Sequence, residues 1–232
     1  MTKAELIVPD WPAPAQVRAL VSTRTLGDMA SAEGRARLRA FLPSEPLWLR
    51  QVHGARVVDA TAAAIGTEAD ASFARAPGVV CAVTVADCLP VLIAAEDGSA
   101  VGIAHAGWRG IAAGVIEALV VAIGVPPRRL LAWLGPAIGP RAYEVGEEVR
   151  TAFVAHDRAL AAAFAPSCNG RWRLDLYAAA RRCLANCGVG HAGGGGFCTQ
   201  SDEARFFSWR RDRTGARIAA ALWIAERPSP GR

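Results

Sequence analysis

The chain has 232 residues, 52% hydrophobic and 20% charged, and a net charge of +5; this balance is ordinary for a globular protein with a sizeable core. The basic residues are 25 Arg and one Lys, Lys3, scattered rather than gathered in a stripe, which argues against a nucleic-acid partner. The missing Gly-Lys-Ser/Thr excludes a Walker-type phosphate loop, and the near absence of Lys speaks against Schiff-base chemistry.

The opening residues, MTKAELIVPDW, carry no basic region followed by an apolar stretch, and every apolar run elsewhere is too short to span a bilayer. The expectation is a cytoplasmic protein with no membrane partner. Residues 17–23 read as an early strand, followed by a polar segment and a short helix over 32–41. Residues 47–52 read as a strand ending at His53-Gly54, with 56–60 as its hairpin partner. The unbroken apolar run 79–85 suggests a strand buried on both faces.

Two apolar runs follow, 89–95 and 100–104, joined by Glu96-Asp97-Gly98-Ser99, whose Asp-Gly pair favours a tight hairpin turn. With Asp97 and Gly98 at the centre, His105 lies opposite Pro90, and Cys88 falls on the same face of the ladder. A one-residue slip would separate them. Residues 111–123 fit a buried helix opened by Ala106-Gly107-Trp108-Arg109-Gly110, and 130–134 another strand, ending in the rigid loop GPAIGP. Residues 147–163 read as one or two helices and 174–186 as another. Residues 206–210 and 217–224 look like a terminal hairpin, with Arg210-Arg211-Asp212-Arg213 a solvated turn. No repeat or linker divides the chain, so it is kept as one domain, 1–232. Mixed strands and helices with tight strand connections favour an α+β, mixed-sheet layered fold over a Rossmann fold.

Six cysteines without a Cys-x-x-Cys motif are expected to be mostly reduced thiols, with Cys81, Cys183 and Cys187 as small buried apolar residues. Cys88 stands apart, because His105 shares its face and His53 ends another strand beside a glycine. Two imidazoles and a thiolate are borderline-soft ligands suited to Zn²⁺, and three protein ligands leave a fourth position open, as catalytic sites do. His156 and His191 fit this set less well. Arg109, near the start of a helix, offers a planar donor fork for phosphate, the competing reading being a packed Trp108 beside a surface salt bridge. Arg210 is a weaker second candidate. Asp70 could orient a ligand histidine, and Asp87 could bond a nearby turn.

The segments WLRQVHG, ADCLPVLIA, AHAGWRG, WLGPAIGPRAYEVG and FFSWRRDRTG, spread over about residues 47–224, resemble the signature blocks of the YfiH-like laccase-domain family, described variously as polyphenol oxidase, purine nucleoside phosphorylase and peptidoglycan editing factor. The resemblance implies a metal site from His53, Cys88 and His105. It also implies a single α/β/β/α-type layered domain with mixed sheets, similar to a cysteine-hydrolase-like fold. The stretch TRTLGDMASAEG departs from the glycine-rich turn expected of the family after Thr-Arg.

The resemblance implies a zinc-dependent purine nucleoside phosphorylase acting on adenosine, inosine or methylthioadenosine, with adenosine deamination as a further activity. The partners are then a nucleoside and phosphate. Zn²⁺ with one thiolate and two neutral imidazoles keeps a net positive charge, fit to activate water for attack at the purine C6 or to hold the phosphate that attacks the ribose C1′. A metal-free Cys-His amide hydrolase, editing a cell-wall precursor, uses the same geometry with Cys88 as nucleophile and His105 as base. Copper is a second cation for the same ligands. A polyphenol oxidase is disfavoured, since only His156 and His191 remain to build a further copper cluster. A metal-storage protein without catalysis is the non-enzymatic alternative. Monomer and homo-oligomer are both compatible with the sequence.

Overall fold

The computed structural model describes residues 5–226, so Lys3 and the two ends of the chain lie outside the described residues. In chain order the elements are β1 (Leu6–Ile7), β2 (Val17–Ser22), α1 (Ala32–Arg39), β3 (Val57–Asp59), β4 (Ala71–Ala74), β5 (Cys81–Val85), β6 (Leu89–Ala95) and β7 (Val101–Ala106). There follow α2 (Trp108–Ala112), α3 (Val115–Ile123), β8 (Leu130–Leu134), β9 (Glu144–Val145), α4 (Glu147–His156), β10 (Phe164–Pro166) and β11 (Trp172–Leu174). The chain closes with α5 (Leu176–Asn186), β12 (His191–Gly194), α6 (Trp209–Asp212) and β13 (Ile218–Ile224).

A six-stranded mixed sheet runs β12-β8-β6-β7-β4-β3 and a four-stranded antiparallel sheet runs β1-β2-β13-β5; β10, β11 and β9 form a small third sheet. The layering follows from the period-2 alternation of strand side chains. On β6, Leu89, Val91, Ile93 and Ala95 pack toward Ile116, Leu119 and Ile123 of α3 and Leu176 and Leu184 of α5. Leu92 and Ala94 pack the other way, against Val83, Ala220 and Leu222 of the second sheet. On β13 the intervening Ala219 and Ala221 then meet Leu38 of α1. Helices, sheet, sheet and helix therefore stack in that order. All seven residues of β6 are buried; each buried Leu, Ile or Val contributes roughly 1.5–3 kcal/mol.

The register of the central hairpin is the expected one, with Pro90 opposite His105 and Leu89 opposite Ala106. Several expectations are corrected. Residues 47–52 form no strand: Leu47 bridges to Cys81 and Arg50 to Glu68, so the segment crosses between two partners instead of running along one. The following residues do not fold back on it, because the amides of Val52, His53 and Gly54 are taken up by the Asp70 carboxylate, and β3 pairs with β4 in parallel. The apolar run 111–123 is broken at Gly114, left-handed at φ 84°, into α2 and α3. Residues 206–210 join no terminal hairpin. Ser208 caps α6 by accepting from the Arg211 amide at 3.2 Å while its own amide donates to Asp212 at 3.0 Å, and β13 pairs instead with β2 and β5. Arg211 is no solvated side chain: its guanidinium donates to the carbonyls of Thr199, Gln200 and Phe206. All six cysteines are free thiols. Among the described residues no helix is long and apolar enough to cross a membrane.

Candidate metal centre and substrate cavity

His53, Cys88 and His105 come together, their ligand atoms all within 4.8 Å of one another. Cys88 enters from the turn before β6 and His105 from the far end of β7, both placed by the hairpin register. His53 arrives from the 52–54 turn with a left-handed φ of 61°, and Asp87, beside Cys88, has φ 85°. Both are uncommon for residues with a side chain. Each is held by strong contacts: the His53 amide donates to Asp70 Oδ1 at 2.9 Å, and Asp87 accepts from Thr199 Oγ1 at 2.6 Å and from the Arg210 amide at 2.7 Å. Asp87 thus anchors a distant segment rather than a nearby turn.

Asp70 is fully buried and organises the centre. Its Oδ1 lies 2.8 Å from His105 Nδ1, and its Oδ2 accepts from the amides of Val52 at 3.1 Å and Gly54 at 2.7 Å. Burial works against the carboxylate, but the bonds from His105 and the amides outweigh it and hold its carboxyl below the usual range. With Nδ1 engaged, His105 turns Nε2 toward Cys88, the arrangement in which a carboxylate orients a metal-binding imidazole. Burial also opposes ionisation of Cys88, yet the adjacent His105 and His53 hold the thiol down at about 6. His105, 3% exposed, is disfavoured as a cation by burial but raised to about 9 by Cys88 and Asp70. A thiolate beside two imidazoles is a donor set that fits a divalent cation of the zinc type. Space is part of the fit, since a Cβ on Gly107 would stand 2.7 Å from Cys88 Sγ.

The three side chains form part of the wall of a cavity of about 890 Å³, within the size range of small-molecule sites. Arg109 lines it from α2, its guanidinium 4.3 Å above the Trp108 ring. Among the described residues it makes no ion pair, so the expected competitor, a surface salt bridge, is not observed. Arg210 also lines the cavity, bonding the Glu144 carbonyl at 3.0 Å and lying over the Tyr143 ring at 5.3 Å. Arg171, Arg213 and Arg217, with Tyr143 and Trp209, complete features that the sequence reading did not single out. The signal for Tyr143, Trp209 and Arg213 lay in the quoted blocks RAYEVG and FFSWRRDRTG, while Arg171 and Arg217 fall outside them; a charged turn gives no sign of which cavity it will face. His191 is exposed on β12 and lies off the cavity.

The chain matches the family described as multi-copper polyphenol oxidoreductase laccase over residues 24–225. It is 48% identical to a purine nucleoside phosphorylase of Pseudomonas aeruginosa, over 95% of this chain and 98% of that protein. It is 46% identical to the purine nucleoside phosphorylase YfiH of Escherichia coli, over 95% and 99%. Among solved structures, a Neisseria meningitidis protein of the DUF152 family superposes with a TM-score of 0.89 at 40% identity, covering 96% of this chain and all of that one. YlmD of Geobacillus stearothermophilus superposes with a TM-score of 0.81 at 28% identity, over 94% and 97%. A match of this length, together with relatives at this identity, places the chain in the YfiH-like laccase-domain family.

Proposed function

We propose that the protein is a cytoplasmic purine nucleoside phosphorylase that uses Zn²⁺ held by His53, Cys88 and His105 and acts on adenosine, inosine or methylthioadenosine, with adenosine deamination as a side activity. The observation that carries the reading is a thiolate and two imidazoles set in the wall of an arginine-lined cavity with room for a nucleoside and phosphate together. The names of its relatives support it, and six free thiols suit a reducing compartment. The same ligands accept copper, and the relation of the layered fold to cysteine-hydrolase-like proteins is part of this proposal.

Bound Zn²⁺ supplies a Lewis acid at the cavity wall. The chain's own residues do the rest. Asp70 fixes the tautomer of His105, so that Nε2 carries a lone pair toward the centre. Arg109 and Arg210 orient phosphate for attack at the ribose C1′, where the glycosidic C–N bond breaks as the C–O bond forms. Tyr143 and Trp209 offer ring faces to the purine.

Purified protein incubated with adenosine should yield adenine and ribose 1-phosphate only when phosphate is present. Inosine formed without phosphate reports deamination. Metal analysis should find one ion fewer in Cys88→Ala than in wild type, and equal contents would refute the ligand set. One observation favours a second reading: Cys88, His105 and Asp70 are also linked as nucleophile, base and orienting carboxylate. If zinc-loaded protein converts no nucleoside while an amide is cleaved in a Cys88-dependent way, the hydrolase reading replaces phosphorolysis.

A further inference from the structure

Away from the cavity, three helices bring together a second group of ligand-type side chains. Glu117 lies in the first turn of α3, His156 ends α4, and Cys183 faces inward from α5. Their ligand atoms lie within 4.8 Å of one another, and none of the three lines the cavity described above. His156 Nε2 is 3.2 Å from Glu117 Oε1. The other carboxylate oxygen, Oε2, is buried without a hydrogen-bond partner, an arrangement that costs free energy unless something supplies the partner. Cys183 is 1% exposed. Burial, then the charge of Glu117 and a thiol contact with its carboxylate, push the thiol well above the ordinary range. Two acids that oppose each other's ionisation, an orphaned oxygen and an imidazole thus share one small space.

We propose that Glu117, His156 and Cys183 form a second divalent-cation site, suited to Zn²⁺, that ties α3, α4 and α5 together. Thiolate, imidazole and carboxylate are the three ligand types that Zn²⁺ takes, and the thiolate disfavours Mg²⁺ and Ca²⁺. The cation is the missing partner of Oε2. It also reverses the electrostatics of Cys183, whose proton leaves to solvent as the sulfur coordinates, one proton per ion bound. His156 is exposed and Cys183 is at the closed end, so an ion reaches the cluster from the solvent side. Gly114, the left-handed link between α2 and α3, would place a Cβ 3.4 Å from His156 Cε1. The site therefore abuts the turn that follows the helix carrying Arg109, and its role is that of a clamp on the helical layer.

The test is a titration of chelator-stripped, full-length protein with Co²⁺, whose thiolate-to-metal absorption reports cysteine ligation. Wild type should bind two equivalents and Cys88→Ala one, the latter still showing the thiolate band. In the Cys88→Ala background, Cys183→Ala should abolish the band, and Glu117→Gln and His156→Gln should each weaken binding at least tenfold. Added Zn²⁺ should raise the Tm of Cys88→Ala and leave that of Cys88→Ala/His156→Gln unmoved. His156→Gln alone, at an exposed position, should lower the wild-type count from two to one, which covers the case in which Cys88→Ala does not fold. A Cys88→Ala protein without the band, or a remaining site indifferent to both Glu117→Gln and His156→Gln, overturns the proposal. Failure of the cavity reading alone looks different: wild type and Cys88→Ala would then both bind one equivalent.

Discussion

Replacing Asp70 by Asn keeps the shape of the side chain and removes its charge, which tests whether this carboxylate sets the chemistry of the centre. Oδ1 serves His105 Nδ1 at 2.8 Å and the His53 amide at 2.9 Å, while Oδ2 serves the amides of Val52 and Gly54. An amide must turn its NH₂ toward one of these pairs. Facing Val52 and Gly54, it would strand two N–H donors. Facing His105, it strands only the His53 amide, because the imidazole can shift its proton to Nε2 and accept at Nδ1. The stranded His53 amide faces the fully buried Asp70 side chain, so the loss of stability should fall in the range for an unsatisfied donor, about 1–3 kcal/mol. Metal affinity falls as well, since an Nε2 that carries a proton is no ligand. Groups that orient ligand histidines typically change affinity by about 10–100-fold, or about 1.4–2.7 kcal/mol. Competition against a chromophoric chelator measures the Zn²⁺ affinity, and long-range ¹H–¹⁵N spectra of the zinc-free protein, recorded above the His105 value of about 9 so that the ring is neutral, report its tautomer. Unchanged affinity together with an unchanged tautomer would refute the reasoning.

Gly107→Ala should cost more than tenfold in Zn²⁺ affinity with little change in Tm: its backbone at φ −72° accepts alanine, whereas the new Cβ would stand 2.7 Å from Cys88 Sγ and 3.3 Å from His53 Cδ2. Metal analysis beside a melting curve checks this. Arg109→Ala should raise the KM for phosphate by about tenfold or more through loss of a charge-assisted contact. Its Tm should fall by no more than about 4 °C, since the ring contact with Trp108 is worth about 1 kcal/mol or less; an unchanged phosphate dependence would remove Arg109 from the site. Arg211→Lys keeps the charge but loses the fork that binds three carbonyls beside the segment bearing Arg210. It should therefore weaken phosphate use as well, read from steady-state kinetics, and equal kinetics would show that Arg211 does not position Arg210. The side-chain bond from Arg211 holds the Asp212 carboxyl below its usual range. A lowered folded pKa stabilises above the unfolded value of about 3.9 and loses that contribution as pH falls through the folded value. The Tm difference between wild type and Asp212→Asn should accordingly shrink on acidification from neutral pH to below that window.

Local pattern was enough to place the central hairpin and half of the centre. The Asp97-Gly98 turn and the alternation on 89–95 and 100–104 set a ladder in which Pro90 faces His105, and that register alone puts Cys88 beside the histidine. Turn geometry and strand period act over a few residues, so the sequence carries them directly. The break at Gly114 was written there too, as a glycine inside an apolar helical run, but length and hydrophobicity concealed it. The remainder depended on which layers pack together. His53 reaches the centre because Asp70, dozens of residues from His105, gathers three amides and an imidazole onto one buried carboxylate. Arg210, read both as part of a charged turn and as a second phosphate candidate, lines the cavity because β13 is drawn between β2 and β5 and Asp87 captures the Arg210 amide. Glu117, His156 and Cys183 meet only because three helices pack on one face of a sheet. Contacts of this kind are decided by burial and charge at long sequence separation, where periodicity carries no information.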